Sequence, residues 1–314
     1  MRKIIAALKE YVQQYFHLKL YLLIAIFLTI SIALNYYFDF EDSYIDAYVG
    51  KKVYTLWFFL FQSIPYYLTC LLIVRFTKYK GFLKDPAFWT VSIFGFIVQA
   101  VNRSFFYHNE IVRGLPIDIL YFVYQVLGDA SSIVIITVPL FIYYWIYERK
   151  TMNGFYGLTS RISDIKPYLV MLAIVLLLII PASFLPDFQA DYPQYQDARG
   201  TRAADYYGVS EWVIVSVYEF FYGISFIAVE LFFRGFLILV FIRYLGPFVV
   251  LPMVATYVFL HFGKPIGETI SSAFGGYILG VLVYKTKNIW GGVAIHMGVA
   301  LLMELAAYLQ RIYW

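Results

Sequence analysis

Charge is scarce in this sequence. Of its 314 residues only 14% are charged, 62% are hydrophobic, and the mean hydropathy is +0.71. A soluble domain carries about a quarter charged residues and at most about half apolar ones. A water-soluble enzyme, a nucleic-acid-binding protein and a disordered scaffold are therefore excluded. Cysteine is almost missing: Cys70 stands alone, which rules out an intrachain disulfide and any cysteine-built metal cluster. The sequence also lacks a glycine-rich phosphate cradle and a serine in a nucleophile turn. Its apolar runs do not alternate with polar residues, so a membrane β-barrel is excluded. No internal repeat suggests a transporter built from inverted halves. The N-terminal stretch MRKIIAALKEYVQQYFHLKL breaks its apolar run with charges and has no small-residue cleavage site, so no removable signal peptide is expected.

What is abundant is aromatic, with 31 Tyr and 30 Phe, a composition suited to lipid-facing surfaces and interfacial belts. Crossing the ~30 Å hydrocarbon layer takes ~20 apolar residues of helix. Runs of that kind occur at 18–38, 53–74, 86–107, 116–147, 167–186, 211–244, 248–263, 267–285 and 289–310. The fold class expected is all-α, a polytopic transmembrane helix bundle of about 8–9 spans. Asn102 and Arg103 interrupt the third run, and 211–244 is long enough to bend, with Gly223 the candidate position. Residues 1–17 read either as a basic amphipathic segment on the inner leaflet or as an extension of the first span. Segment 18–186 holds the N-terminal transmembrane helices, 187–210 is a polar loop, and 211–314 carries the chemistry. With nine alternating spans, one side collects about twice the Lys and Arg of the other. That side is expected to be cytoplasmic, with the N-terminus inside and the C-terminus outside.

An ionisable side chain at membrane depth costs roughly 2.5–3.5 kcal/mol on insertion scales, so each needs a partner or a purpose. Glu230 and Arg234 (AVELFFRGF), His261 (YVFLHFGKP), His296 (IWGGVAIHMG) and Glu268 (KPIGETISS) are the candidates. Glu230 and Arg234 lie one helical turn apart on one face. That spacing is equally that of an internal ion pair neutralising two costly charges. Counted from the turn at Gly246, Glu230 lies ~24 Å back and His261 ~22 Å forward, almost the same depth. Glu268 lies ~26 Å from the next inner turn at Lys285. His296 lies only ~14 Å beyond Lys287 and needs helix tilt to reach the others. Gly263 and Pro265 imply a tight connection between His261 and Glu268. Across it the glutamate either orients the imidazole or simply begins a helix. Water, activated by a glutamate or by a histidine-bound metal, is the nucleophile these residue types allow. Two histidines and a carboxylate (His261, His296, Glu230) also make a possible Zn(2+) shell with an open position. Glu219, on nearly the face of Glu230 but ~16 Å nearer the outer surface, is a further carboxylate. Asp118 and Asp129 read as buried polar contacts.

At these residues the sequence resembles the CAAX protease and bacteriocin-processing family of intramembrane metallo-type endopeptidases, known as CPBP or Abi. The family pattern of Glu-Glu-xxx-Arg, Phe-xxx-His and His-xxx-Asn corresponds to VELFFRG (229–235), YVFLH (257–261) and HMGVA (296–300). The resemblance covers roughly residues 211–310. It implies Glu230, Arg234, His261 and His296 as the site, with glutamates and histidines activating a water against a peptide carbonyl and the arginine positioning its glutamate. Three positions depart from the pattern. Val229 stands where the first glutamate, the usual base, is expected, Ala300 where the oxyanion-stabilising asparagine is expected, and Tyr257 where phenylalanine is expected. Glu230 and Glu268 are the carboxylates available to replace the missing base. The resemblance implies an integral membrane endopeptidase of a bacterial plasma membrane acting on a protein or peptide. The alternative is an inactive relative serving as a binding or self-immunity scaffold.

Overall fold

The computed structural model describes residues 1–152, 154–160 and 165–313. Among them no strand forms, and the one isolated bridge pairs Phe155 with Leu158. Among the described residues seven helices are long and apolar enough to cross a bilayer: Leu18–Phe38, Val53–Phe76, Ile117–Glu148, Glu211–Val240, Ile242–Leu260, Ile266–Thr286 and Trp290–Ile312. Lys166–Ala182 and Pro186–Tyr207, bent by 98° to each other, pass the same test together and make an eighth if the pair is one broken span. The expected third span, 86–107, is a shorter helix, Pro86–Arg103. Gln99, Asn102 and Arg103 dilute its apolar character, and it is not among the seven. The protein is thus an all-α polytopic bundle, and its composition and spans mark it as a multi-pass membrane protein.

Burial is uneven. In the Glu211–Val240 span 72% of the most apolar window is buried, against 11% in Ile117–Glu148. The Glu211–Val240 and Ile242–Leu260 spans are therefore the interior of the bundle, and Leu18–Phe38 and Ile117–Glu148 are its most exposed spans. Lipid tails are as apolar as the side chains they touch, so close backbone approach rather than hydrophobicity holds such helices together. Gly276 and Gly280, four apart, provide that approach. A Cβ at Gly276 would lie 2.9 Å from the Tyr257 ring, and one at Gly280 would lie 2.7 Å from Met253. They fix Ile266–Thr286 tightly against Val250–Leu260.

The span at 211–244 does not bend at Gly223. It keeps α geometry from Glu211 to Glu230 and then winds as a π-helix over Leu231–Val240. Such wide coils, with bonds from i to i+5, are rare and tend to mark functional positions. Every residue from Leu231 to Ile238 is buried. Residues 2–15 form a helix of their own, separated from the first span by Phe16 and His17. The His17 ring caps the next helix by accepting from the Leu20 amide at 3.4 Å. Lys285 pairs with Glu10 at 2.9 Å, and the Tyr11 hydroxyl donates to the Pro247 carbonyl, so this helix docks on the bundle.

The polar stretch after Ala182 is partly helical, with Pro186–Asp191 and Gly200–Tyr207. Polar ties fasten it to the C-terminal spans. Lys264 pairs with Asp191 at 3.2 Å, and the Tyr192 hydroxyl donates to Glu268 at 2.9 Å. The Gln194 and Tyr195 amides donate to Glu304 at 2.8 and 3.2 Å. Arg311 donates to the Gln189 and Tyr192 carbonyls at 3.0 Å each.

The loop between the first two spans carries a titratable device. Glu41 is almost fully buried, and Gly263, at φ +82°, passes so close that a Cβ there would lie 2.6 Å from its Oε2. Burial, reinforced by the neighbouring Asp46 carboxylate and opposed by Arg103, pushes the Glu41 carboxyl up to about 8. The folded chain then binds a proton that the unfolded chain releases near the ordinary carboxylate value. Its contribution to stability is fully present below that ordinary value and is lost as pH rises through about 8. Thermal unfolding in detergent between pH 5 and 9 is expected to show stability falling with pH. Glu41→Gln is expected to flatten that slope, and an unchanged slope would count against it.

Candidate intramembrane active site

Glu230 ends the α-helical part of its span, and Arg234 follows one turn later in the π coil. Both side chains are fully buried, with Arg234 Nη1 3.0 Å from Glu230 Oε1. The contact is off-axis: no nitrogen of the guanidinium reaches an aligned hydrogen-bond acceptor among the described residues. Charge attraction and the face of Tyr257, whose centroid lies 3.9 Å from the guanidinium carbon, hold it instead. A cation over an aromatic face is worth about 2 kcal/mol when desolvated, which partly offsets the missing hydrogen bonds.

The same carboxylate oxygen takes a second partner. His296 Nδ1 lies 3.1 Å from Glu230 Oε1, and His296 Nε2 lies 3.3 Å from the Tyr257 hydroxyl. With the proton on Nδ1, the imidazole donates to the carboxylate, and its Nε2 accepts from the phenol. The Phe226 ring, 4.4 Å away, closes one side of the imidazole. Four side chains from three spans therefore make one chain of contacts: Arg234, Glu230, His296, Tyr257.

Gly292 permits this meeting, and the sequence reading had missed it. A Cβ there would lie 2.2 Å from Glu230 Oε2, so the last span presses bare backbone against the carboxylate. His296 lies one turn beyond Gly292, and side chains lean toward the N-terminus of their helix, which brings the imidazole back to Glu230. His296 thus meets Glu230 despite the difference in height counted along the two helices. The Gly-Gly pair four residues ahead of a histidine was the signal available.

His261 stands apart. It follows the last residue of Val250–Leu260, and its Nδ1 donates to the Tyr257 carbonyl at 2.8 Å, leaving Nε2 as the lone-pair face. Its ring packs on that of Tyr257 at 4.4 Å. Depth counting put His261 level with Glu230. The residue that meets Arg234 and His296 is instead Tyr257, one turn earlier. The 3₁₀ turn Gly246–Val249 rises faster per residue than an α-helix, and the π coil on the neighbouring span rises more slowly, which accounts for the offset.

Glu268 does not orient His261. It sits in the first turn of its helix, as the tight connection implied, and accepts from Tyr192 of the polar segment. Glu219 faces Asp129 and Glu304 within electrostatic reach, and its Oε2 has no hydrogen-bond partner among the described residues. Asp118, expected to be buried, is exposed at the start of its helix, whereas Asp129 is half-buried. Glu304, not singled out from sequence, is buried and capped by two backbone amides. Val229 packs at the edge of the main core and Ala300 is buried, so neither position offers a polar group.

A zinc shell draws its nitrogen and oxygen donors to about 2.0–2.2 Å from one point. Glu230, His261 and His296 do not converge in that way. Among the described residues, Glu41, Asp42 and Asp46 are the His, Cys, Asp or Glu group whose donor atoms lie within 4.8 Å of one another. Both nitrogens of His296 are engaged by protein groups. The residues as arranged do not fit a zinc ion.

Fold and site together define an α-helical polytopic membrane protein with a buried Glu–His–Arg constellation in its C-terminal spans. Residues 210–302 match the family model described as Rce1-like, Type II CAAX prenyl endopeptidase Rce1-like. That match agrees with the resemblance to the CAAX protease family carried by residues 229–235, 257–261 and 296–300, all of which lie inside it. No curated protein and no solved structure matches the chain.

Proposed function

We propose that this protein is an integral membrane endopeptidase of the CAAX-protease type, hydrolysing a peptide bond in or beside the bilayer at the Glu230–His296 site. One observation carries the reading. A carboxylate and an imidazole from two different spans meet at 3.1 Å inside a segment matching a family of membrane endopeptidases. A carboxylate that fixes the tautomer of a histidine prepares that histidine as a general base. In this reading His296 Nε2 takes the proton of the attacking water. Glu230 orients the imidazole and stabilises its charged form, and Arg234 positions Glu230. His261 packs its ring on that of Tyr257 and keeps Nε2 as its lone-pair face. The substrate is a protein or peptide reaching the site from the bilayer. The host membrane is a bacterial plasma membrane, with the N-terminus on its cytoplasmic side.

A second reading has its own support. Valine at 229 and alanine at 300 remove two polar groups that the family pattern carries, which suits a relative that has kept its scaffold and binds a partner or confers self-immunity. Purified protein in detergent, offered a reporter-peptide library, separates the two. The peptidase reading expects cleavage that His296→Ala lowers at least about 10²-fold, the low end of a general base's contribution. Absence of cleavage by the unaltered chain, in every detergent and lipid tried, favours the scaffold.

A further inference from the structure

Tyr257 touches every member of the site except Glu230. Its hydroxyl is 3.3 Å from His296 Nε2, its ring carries the Arg234 guanidinium at 3.9 Å, and its ring packs on His261 at 4.4 Å. Phe233 holds it edge-on at 5.2 Å, and Gly276 leaves room for it on the neighbouring span. The ring is therefore fixed on several sides, and its only polar atom is aimed at the nitrogen that would act as base.

A phenol in this position needs a reason. Phenylalanine would fill the same space, stack on the same histidine and carry the same guanidinium, without a hydroxyl to satisfy at membrane depth. The hydrogen bond it makes is long for an O–H donor, whose usual distance is near 2.7–2.8 Å. Long, loose contacts of this sort are common where a catalytic group tightens only once substrate arrives.

We infer that Tyr257 is a catalytic residue, its hydroxyl donating to the oxyanion that forms when water adds to the scissile carbonyl. The inference rests on the peptidase reading above and deepens it. As water enters between Tyr257 and His296, Nε2 takes one water proton while the water oxygen bonds to the carbonyl carbon. The carbonyl π pair moves onto oxygen, where the Tyr257 O–H donates a hydrogen bond and keeps its proton. On collapse that pair re-forms the C=O bond and the C–N bond breaks. The proton on His296 Nε2 passes to the leaving nitrogen, giving a carboxylic acid, an amine and the original imidazole. Alanine at 300 offers no side-chain donor for this oxygen, and Tyr257 supplies one from another span.

The test is Tyr257→Phe in the full-length chain, purified in detergent and assayed with the reporter peptides beside the unaltered protein and His296→Ala. Removing one donor to an oxyanion costs about 10²–10³ in kcat, so a fall of that size with KM within about twofold is expected. Thermal unfolding in the same detergent is expected to shift by no more than about 4 °C, the scale for loss of a single hydrogen bond. Reaction of His296 with diethyl pyrocarbonate, which attacks Nε2, is expected to quicken in the variant because the phenol no longer covers that nitrogen. A Tyr257→Phe protein that keeps kcat within threefold, while His296→Ala is inactive, overturns the inference and leaves the peptidase reading standing. Loss of activity accompanied by a large fall in Tm overturns it as well, in favour of a packing role. Should the unaltered chain cleave nothing, the peptidase reading falls and the role of Tyr257 falls with it.

Discussion

Replacing Glu230 with alanine is expected to destabilise the protein by about 3–5 kcal/mol, the cost of leaving a buried charge without its partner. Arg234 has no exposed surface over which to rehydrate, and its guanidinium already lacks aligned hydrogen bonds. The variant should therefore unfold at markedly lower temperature in detergent as well as lose peptide cleavage. A double variant, Glu230→Ala with Arg234→Met, separates the two effects. Removing both charges together spares the desolvation cost, so most of the stability is expected to return. Cleavage is not expected to return, because His296 Nδ1 would still have no carboxylate to fix its proton. If Glu230→Ala alone proves as stable as the unaltered chain, the buried ion pair described here is wrong.

The second large effect comes from a single methyl group. Alanine in place of Gly292 would improve helix propensity by about 1 kcal/mol in an unconstrained helix. Here its Cβ would sit 2.2 Å from Glu230 Oε2, well inside van der Waals contact. The carboxylate cannot swing away, because its other oxygen is shared by Arg234 and His296. Overpacking of this kind costs about 1–3 kcal/mol, so the clash outweighs the propensity. Gly292→Ala is expected to lower both Tm and activity. Gly275→Ala, where a Cβ meets nothing within 4 Å, is the matched control and should be neutral or slightly stabilising. Equal Tm values for the two variants would show that the last span does not press on Glu230.

Much of this arrangement was legible in the residues. Long apolar runs determined where helices form, because a chain in lipid must satisfy its own backbone groups. The cost of intramembrane charge then picked out Glu230, Arg234 and His296, which do meet. What periodicity cannot give is the identity of the neighbour across a helix interface. Glu268 was matched to His261 by sequence proximity, whereas its partner Tyr192 lies 76 residues away. Counting rise per residue assumed ordinary α winding throughout. A π coil on one span and a 3₁₀ turn before the next shifted the register by about one turn, so Tyr257 took the position assigned to His261. Tyr257 had been noticed only as a departure from a motif, and Gly292 not at all, since a residue without a side chain announces nothing about the contact it allows.

The wide coil at Leu231–Val240 has a consequence for how this chain can vary. Deleting one residue from it would change the winding between its two ends and turn what lies on its far side, without breaking the span. The coil thus works as a vernier, setting the angle between the carboxylate at one end and the turn into the next helix at the other. A shortened descendant would still insert and still look helical, yet would no longer aim its guanidinium across the Tyr257 ring.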